Sequence, residues 1–410
     1  MTGKKSRAKE PLDTSQLPGD TGPFWPHLGP VFFLTAIFLI NFIARIILSP
    51  LLPTIEKDLG ISHTQAGSFF FLIATGYITG LLGSGFIASR STHKITIVIS
   101  TAGVGLALLG ISVASGLQPM RLGLFGLGFA SGLYIASAIA TITSLIERPH
   151  WGKAIGVHEV APNLAFFAGP FVAELFLRGS SWRVALSFLG IASLIASFVY
   201  LRMGRGGEFA GASPASGAFC LLVQSASFWI LTALFGLGIS ATIGVYAMLP
   251  LYLVIERGID LSWANTVVAL SRSYGPILGL IGGWVSDRLG PKQTLVTSLL
   301  FTGLATLLLG LVSRVWINTV VLIQPLLAVW FFPAAFAALA ATMPPAARNL
   351  AVAFTIPVGY LIGAGAIPTF IGIMGDAESF GRGFIVTGIL ILAGGLLAWL
   401  LRLPQAPKSS

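Results

Sequence analysis

Four ionisable residues stand inside long apolar stretches of this sequence: Arg45, His158, Glu159 and Arg272. A guanidinium can hold a carboxylate or phosphate through two parallel hydrogen bonds, so the two arginines are candidates for binding an anion. Burial favours the neutral form of a carboxyl group, which would let Glu159 take up and release a proton near neutral pH, and His158 could share that proton. The four residues suggest an anion site and a proton site, provided that the fold brings them together.

The chain as a whole has the composition of a membrane protein. Of its 410 residues, 55% are hydrophobic and 9% are charged, and the mean hydropathy is +0.89. One membrane-spanning helix needs about 20 apolar residues, and the sequence has twelve such segments separated by short polar breaks. They predict an all-α membrane protein with twelve transmembrane helices, at residues 28–52, 65–88, 95–115, 119–146, 154–177, 184–201, 228–255, 261–285, 293–312, 316–341, 349–374 and 383–403.

The formal net charge of +10 could indicate a nucleic-acid-binding protein, but membrane topology explains it without such a partner. Residues 1–27 are polar and include Lys4, Lys5, Arg7 and Lys9. If this tail lies in the cytoplasm, so do most of the 24 Lys and Arg residues, as the positive-inside rule requires. We therefore expect a multi-pass protein of the cell membrane with both termini cytoplasmic, embedded in the lipid bilayer and binding no nucleic acid.

Two parts of the sequence resemble each other. The stretches ATGYITGLLGSGFIASR (74–90) and RSYGPILGLIGGWVSDR (272–288) have equal length, carry regularly spaced glycines and end in arginine. A Gly/Ser/Pro-rich stretch lies between them, at 204–217. A direct repeat of six helices is typical of transporters that bind substrate between two rocking halves. The predicted boundaries are a tail at 1–27, an N-terminal half at 28–201, a linker at 202–227, a C-terminal half at 228–403 and a tail at 404–410.

The loop after the eighth segment carries a recognisable motif. GGWVSDRLGPK (282–292) resembles the Gly-x-x-x-Asp-Arg-x-Gly-x-Lys loop of the major facilitator superfamily. The equivalent loop of the first half, GFIASRSTHK (85–94), keeps its arginine but has Ser89 where the family usually has aspartate. The resemblance implies the twelve-helix fold of that family and transport by alternating access. The residues that it assigns to gating, rather than to substrate contact, are Arg90, Gly283, Asp287 and Arg288.

The two arginines are predicted to face each other across the halves. Asn41, Arg45 and Ser49 recur every four residues and form one polar stripe on an apolar helix. At 1.5 Å per residue, Arg45 lies roughly 10 Å and Arg272 roughly 16 Å from the outer ends of their helices. Because an arginine in the bilayer centre costs about 2.5–3.5 kcal/mol on insertion scales, lipid-facing placement is rare. We expect both side chains in an aqueous cavity, with Asn41 beside them, holding an anion.

The eighth segment adds two further expectations. Tyr274 follows Arg272 closely and is a candidate aromatic contact for the substrate. Gly275, Gly279 and Gly283 recur at four-residue steps and predict a face against which a neighbouring helix packs closely.

The first segment resembles two particular branches of the superfamily. NFIARIILSPLLPTIEKDLGIS (41–62) resembles the first helix of the anion:cation symporters and of the organophosphate:phosphate antiporters, which both hold an arginine there. The symporters usually have aspartate just before that arginine, where this chain has Ala44, so the proton site is expected at Glu159 instead. The antiporters usually place a second arginine in helix 7, whereas this chain offers Arg272 one helix later.

These residues favour a secondary transporter that moves a small organic anion, in particular a carboxylate, with proton coupling. Two alternatives stay open: a proton-driven exporter of hydrophobic compounds, and a non-transporting membrane sensor with the same fold. The sequence has no Cys/His metal cluster, phosphate-binding loop or nucleophile motif. We therefore expect no enzymatic activity, no metal and no cofactor, and a protein that works as a monomer.

Overall fold

The computed structural model describes residues 28–211, 224–343, 348–401 and 403, and all regular structure within them is helical. The predicted tails at 1–27 and 404–410, and residues 212–223 of the predicted linker, lie outside the described residues. Eleven helices in these ranges are long and apolar enough to cross a membrane. They are α1 (Leu28–Leu59), α2 (His63–Arg90), α3 (His93–Ser112), α4 (Leu117–Leu145), α5 (Arg148–Gly179), α6 (Trp182–Met203), α7 (Ala226–Ile255), α9 (Pro291–Leu311), α10 (Arg314–Thr342), α11 (Ala351–Asp376) and α12 (Phe380–Ala398), and the segment between α7 and α9 is α8.

The eighth segment is helical but not continuous. α8 consists of two helices, Leu261–Leu270 and Gly275–Leu289, separated by a tight turn. Pro276 has no N–H to give to the carbonyl of Arg272 four residues earlier, and the N–H of Gly275 bonds that carbonyl instead, at 3.1 Å. The expectation of one unbroken helix over 261–285 is therefore wrong, although eleven continuous spans and a divided eighth agree with twelve segments. The all-α membrane fold is confirmed.

Local sequence signals fix several helix ends. Ser62 and Gln65 form a capping box at the start of α2, in which each side chain accepts a hydrogen bond from the backbone N–H of the other residue. Gly60 ends α1 in the left-handed conformation, with φ of 61°. The side chain of Asp260 caps the first helix of α8. These caps define the short connection between α1 and α2 and the start of α8.

The helices before and after the linker meet mainly through three pairs, α1 with α7, α2 with α11 and α5 with α8. We call the end of the bundle that holds the 59–63, 179–182, 255–261 and 376–380 connections the distal end, and the end that holds the first and last described residues the terminal end. Among the described residues, the hydrogen bonds between the two sets of helices lie between mid-bundle and the distal end. In the described part of the chain, the halves are thus joined distally.

One close packing point lies on α2. A Cβ at Gly67 would lie 2.5 Å from the carbonyl oxygen of Pro368, and a Cβ at Gly372 would lie 2.3 Å from the carbonyl oxygen of His63. Only glycine allows the two backbones to approach this closely. The tight α2–α11 contact therefore depends on glycines from both halves.

The predicted glycine face of α8 is wrong at two of its three positions: a Cβ at Gly275 would lie 3.1 Å from Oδ1 of Asn163 on α5, but the other two glycines have no close neighbour. A Cβ at Gly279 or Gly283 would have no heavy atom within 4 Å. Close packing occurs instead at Gly282, where a Cβ would lie 2.6 Å from Cδ1 of Trp330. The break in α8 is not the cause, because all three glycines lie in its second helix, Gly275–Leu289; that helix meets α10 on the face that carries Gly282 instead.

Candidate functional site

Arg45 lies between the two sets of helices. Its side chain is 4% exposed, and Nη1 donates a hydrogen bond of 3.1 Å to Oη of Tyr360 on α11. The guanidinium carbon lies 4.5 Å from the ring centre of Phe42 and 4.6 Å from that of Tyr77. Such cation–π contacts stabilise a desolvated guanidinium. Arg45 is therefore enclosed by protein from both halves and reaches neither lipid nor the bundle ends.

Arg272 occupies the turn that divides α8. Its side chain is 6% exposed, and Nη2 donates to the carbonyl of Thr242 at 3.1 Å. Thr242 belongs to a π-helical turn of α7, Ser240–Gly244, and such turns shift backbone carbonyls away from their regular partners. Thr242 is also the residue that pairs with Arg45 when LLP, which ends at Pro53, is aligned with MLP, which ends at Pro250, 197 residues later.

One group of rings joins the two arginines. We call Phe42, Phe166 and Tyr246 the aromatic cluster. The ring centres of Phe42 and Phe166 are 5.3 Å apart, and those of Phe166 and Tyr246 are 4.8 Å apart. Arg45 stacks on Phe42, and Arg272 lies 5.0 Å from the Phe166 ring and 5.4 Å from the Tyr246 ring. The two guanidinium groups therefore border a single cluster, one from each half.

The charge of these arginines is not balanced by a carboxylate. Neither Arg45 nor Arg272 takes part in any of the ion pairs among the described residues. The Nε atom of each guanidinium is buried without a hydrogen-bond partner in the described structure. Both polar atoms of the Asn41 amide, one turn before Arg45, are unpaired as well. Unpaired buried donors are costly, so this arrangement suits an anion that accepts hydrogen bonds from them.

A small cavity opens beside Arg45. Its lining comes from both halves and includes Phe70, Tyr246 and Tyr360. Tyr274 does not line it: its hydroxyl donates to the carbonyl of Leu322 on α10. In this conformation Tyr274 is therefore already paired and is not free for a ligand.

His158 and Glu159 lie together on α5, but in different surroundings. The His158 ring is fully buried and stacks on Phe38, with ring centres 4.5 Å apart. Its Nε2 is 3.1 Å from Oη of Tyr134, and its Nδ1 is 3.5 Å from Oε1 of Glu159. The Glu159 side chain is 50% exposed, so it is not the deeply buried carboxylate that the sequence suggested. The helix is distorted at Glu159, which lets two adjacent side chains meet.

The predicted gating residues lie at the terminal end. Asp287 and Arg288 are exposed in the last turn of α8, and Arg288 stacks on Trp284 at 4.3 Å. Arg90, also exposed, stacks on Phe86 at 3.5 Å. Gly283 lies one turn before Asp287 on the same helix. The gating role of these four residues stays a prediction.

The α2–α3 loop, where Ser89 replaces aspartate, is held by the linker. The N–H of Lys94 donates to the carbonyl of Gly207 at 2.9 Å, and the N–H of Gly211 donates to the carbonyl of Ala88 at 2.9 Å. Nζ of Lys94 also lies 3.3 Å from a carboxylate oxygen of Glu208. Residues 204–211 thus form a strap across this loop.

Sequence reasoning missed a contact at the distal end. The carboxylate of Asp376, at the end of α11, accepts hydrogen bonds from the N–H groups of His63 at 2.8 Å and Thr64 at 3.0 Å. These N–H groups begin α2, where a helix favours a negative charge. We call this contact the distal latch because it joins the two halves. No local signal marks it, since a carboxylate at a helix end resembles any loop residue.

Sequence reasoning also missed two rings of the aromatic cluster. Phe42 could have been found, because it precedes Arg45 by three residues and so shares its helix face. Phe166 could not, because its contact with Arg272 joins helices from different halves.

Comparison with known proteins identifies the family. The Major Facilitator Superfamily model matches residues 34–275 and 261–410. The chain is 25% identical over 382 residues to the probable nitrate/nitrite transporter NarK2 of Mycobacterium tuberculosis, covering 88% of this chain and 84% of that protein. It is 24% identical to the probable sulfoacetate transporter SauU of Cupriavidus necator, covering 70% and 73% of the two chains. It is also 24% identical to the 4-hydroxybenzoate transporter PcaK of Pseudomonas aeruginosa, covering 68% and 74%.

Solved structures share the fold. A bacterial homologue of the human lysosomal transporter Spinster, in an inward-facing and occupied conformation, superposes with a TM-score of 0.79 at 14% identity, covering 93% of this chain and 97% of that one. The family model and the transporter relatives confirm that this multi-pass membrane protein is a transporter and not an enzyme. The chain belongs to the Major Facilitator Superfamily.

Proposed function

We propose that this protein is a secondary transporter of a small organic anion, in particular a carboxylate, which binds between Arg45 and Arg272. One observation carries the proposal: two buried guanidinium groups, one from each half, border the same aromatic cluster without a carboxylate partner among the described residues. A bound anion would neutralise these charges and accept hydrogen bonds from the unpaired Nε–H groups. Asn41, with its unpaired amide, is the third proposed ligand.

The surroundings favour a small, flat anion. Rings line the path between the arginines, and the cavity beside Arg45 is small. A planar carboxylate fits a guanidinium through two parallel hydrogen bonds and can lie against aromatic faces. The named substrates of the relatives, which are nitrate, sulfoacetate and 4-hydroxybenzoate, are all anions. Nitrate is therefore the main competitor to a carboxylate.

The proposed mechanism is alternating access with proton coupling. With both termini in the cytoplasm, the distal end faces outwards, and the conformation described here is closed on that side. Because each half supplies one arginine, an anion between them draws the halves together and so favours the occluded state. Arg90, Gly283, Asp287 and Arg288 would then contribute to closure at the terminal, cytoplasmic end. We propose that the working unit is a monomer in the cell membrane.

Two other functions make different predictions. An exporter of hydrophobic compounds would use the aromatic cluster and would tolerate the loss of either arginine. A sensor would bind an anion without moving it. Binding and transport therefore have to be measured separately.

The first experiment measures binding by thermal unfolding of the purified protein. Nitrate, 4-hydroxybenzoate, sulfoacetate and a set of short carboxylates are added one at a time, because a ligand that binds the folded state raises its unfolding temperature. Counterflow of the labelled anion in proteoliposomes then measures transport. Binding without counterflow would favour the sensor.

The second experiment tests the arginines. We expect Arg45→Ala and Arg272→Ala each to weaken anion binding about ten- to hundredfold, since a hydrogen bond to a charged group contributes about 1.5–3 kcal/mol. Arg202→Ala is the matched control, because Arg202 stacks on Phe198 at the terminal end of α6. Normal anion transport by both site variants would refute the proposed function.

A further inference from the structure

The hydrogen bonds around His158 determine which of its nitrogens carries hydrogen. The hydroxyl of Tyr134 lies 2.7 Å from the carbonyl of Leu34, and this carbonyl can only accept. The single hydroxyl hydrogen is therefore given to Leu34. At the 3.1 Å contact between Tyr134 Oη and His158 Nε2, the hydrogen must come from the imidazole. A neutral His158 then presents a bare lone pair at Nδ1.

This bare nitrogen faces a carboxylate. Nδ1 of His158 is 3.5 Å from Oε1 of Glu159, and no hydrogen bond to Nδ1 is formed in the described structure. A lone pair and an ionised carboxylate at this distance repel each other. One proton between the two atoms converts the repulsion into an ion pair or a hydrogen bond. The proton then belongs to the pair rather than to either residue.

The imidazole is held so that Nδ1 keeps facing Glu159. The ring stacks on Phe38 with an interplanar angle of 6°, and on Tyr134 with ring centres 5.8 Å apart and an angle of 11°. His158 is fully buried, whereas half of the Glu159 side chain is exposed. Glu159 therefore offers the route by which a proton reaches the buried nitrogen.

Few ionisable groups of the neighbouring helices lie near His158 and Glu159. α4 contributes Tyr134, and α2 contributes Tyr77, whose hydroxyl is close enough to interact electrostatically with Glu159. α1 contributes Arg45, 4.6 Å from the Tyr77 ring. α8 meets α5 here through uncharged Gly275 beside Asn163.

We propose that the transported proton binds between Nδ1 of His158 and the carboxylate of Glu159, and that Tyr134 fixes the imidazole tautomer that makes this possible. The inference rests on the proposed anion transport, which it couples to protons. The positive charge of Arg45 disfavours an additional positive charge nearby, and a bound anion removes that effect. Anion and proton therefore promote each other's binding, and the coupling is reciprocal.

The first test measures proton uptake when the anion binds. Nitrate or 4-hydroxybenzoate, whichever stabilises the protein, is added to purified full-length protein in weak buffer with a pH indicator. The wild type should take up about one proton per anion, whereas Glu159→Gln should take up none and still be stabilised by the anion. Equal proton uptake by Glu159→Gln, or anion binding by the wild type without uptake, overturns the proton site and leaves anion transport standing.

A matched pair of tyrosine variants tests the tautomer. Tyr134→Phe removes the acceptor of Nε2–H, so the pH of half-maximal uptake should shift by about one unit or more. Tyr200→Phe removes another buried hydroxyl, one without a hydrogen-bond partner in the described structure, and should cause no shift. Equal behaviour of the two variants would contradict the role of Tyr134.

A direct readout does not require any anion. NMR of protein with ¹⁵N-labelled histidine, with the His158 signal assigned by its loss in His158→Gln, should show hydrogen on Nε2 and none on Nδ1 at alkaline pH. Acidification should then protonate Nδ1. The opposite tautomer at alkaline pH would overturn the inference even if transport is confirmed. If no anion binds while the NMR result holds, the proposed function fails and the proton site remains.

In liposomes, the Glu159→Gln variant separates exchange of the anion from its coupling to protons. A gradient of one pH unit supports about tenfold accumulation per coupled proton, equivalent to about 1.4 kcal/mol. Glu159→Gln should retain counterflow and lose this accumulation under a gradient of either polarity. Retained accumulation would exclude Glu159 as the coupling residue.

Discussion

The guanidinium group suits this site better than an ammonium group would. Arg45 and Arg272 both stack on aromatic rings. At the same time, a terminal nitrogen of Arg45 donates to the hydroxyl of Tyr360 in the other half, and a terminal nitrogen of Arg272 donates to the carbonyl of Thr242 on α7. A guanidinium is planar, weakly hydrated and has five donors, so it can stack, bond protein and still offer hydrogens to an anion. An ammonium of lysine has three donors and holds its water more strongly.

This difference can be measured with a substitution that keeps the charge. Arg45→Lys should weaken anion binding at least about tenfold, because the two-pronged hydrogen bond and the stacking on Phe42 are lost together. The dissociation constant is obtained from anion-dependent thermal unfolding, with Arg202→Lys as the exposed control. An unchanged dissociation constant would mean that charge alone, and not the fork of the guanidinium, holds the anion.

At the scale of elements, three interrupted helices, α7, α8 and α11, create the site. The turn in α8 places Arg272, and the π-helical turn of α7 supplies its carbonyl partner, Thr242. A second π-helical turn, Leu361–Ala366 in α11, directly follows Tyr360, the partner of Arg45. The two π turns touch, since a Cβ at Gly363 would lie 2.5 Å from the N atom of Ser240. Irregular backbone of this kind is tolerated inside a membrane where protein surrounds it.

The face of α8 that packs on α10 can be tested with two adjacent glycines. Gly282→Ala should lower the unfolding temperature, because the added methyl would meet Trp330 at 2.6 Å and overpacking costs about 1–3 kcal/mol. Gly283→Ala should be neutral or stabilise by up to about 1 kcal/mol, since its methyl meets nothing within 4 Å and alanine favours a helix. Thermal unfolding in one detergent compares them. Equal stability of the two variants would argue against this register of α8.

For the whole molecule, the distal latch is one of the polar contacts between the halves, beside the α2–α11 packing. Asp376 bonds two N–H groups of the opposite half, whereas Asp58 at the same end bonds Trp182 and Arg183 of its own half. The two carboxylates are thus a natural pair for comparing closure between halves with packing inside one half.

Breaking the latch should open the distal end. In a Cys220→Ser background, spin labels at Lys57→Cys and Glu378→Cys, both exposed, report the distance between halves. Asp376→Ala should increase the population of long distances, because losing hydrogen bonds to a charged acceptor shifts the equilibrium by about 1–3 kcal/mol. Asp58→Ala should leave the distances unchanged. A lengthening in both variants, or in neither, would rule out the latch as the cause of closure.

The sequence by itself determined the membrane fold and the residues worth testing, and it predicted the direct repeat. Apolar runs of sufficient length must become helices in a bilayer, and a charge within such a run is costly wherever it lies, so both signals are local. That is why Arg45, Arg272, His158 and Glu159 could be selected without a structure. The alignment of Thr242 with Arg45 was visible too, although its meaning was not.

Only the tertiary structure decided how these residues are used. It linked the arginines through Phe42, Phe166 and Tyr246, occupied the hydroxyl of Tyr274 with Leu322, and left Glu159 half exposed. It also divided α8 and placed the carboxylate of Asp376 against the first N–H groups of α2. Each of these outcomes depends on which helices become neighbours across the bundle, and that choice is made by packing between residues far apart in sequence.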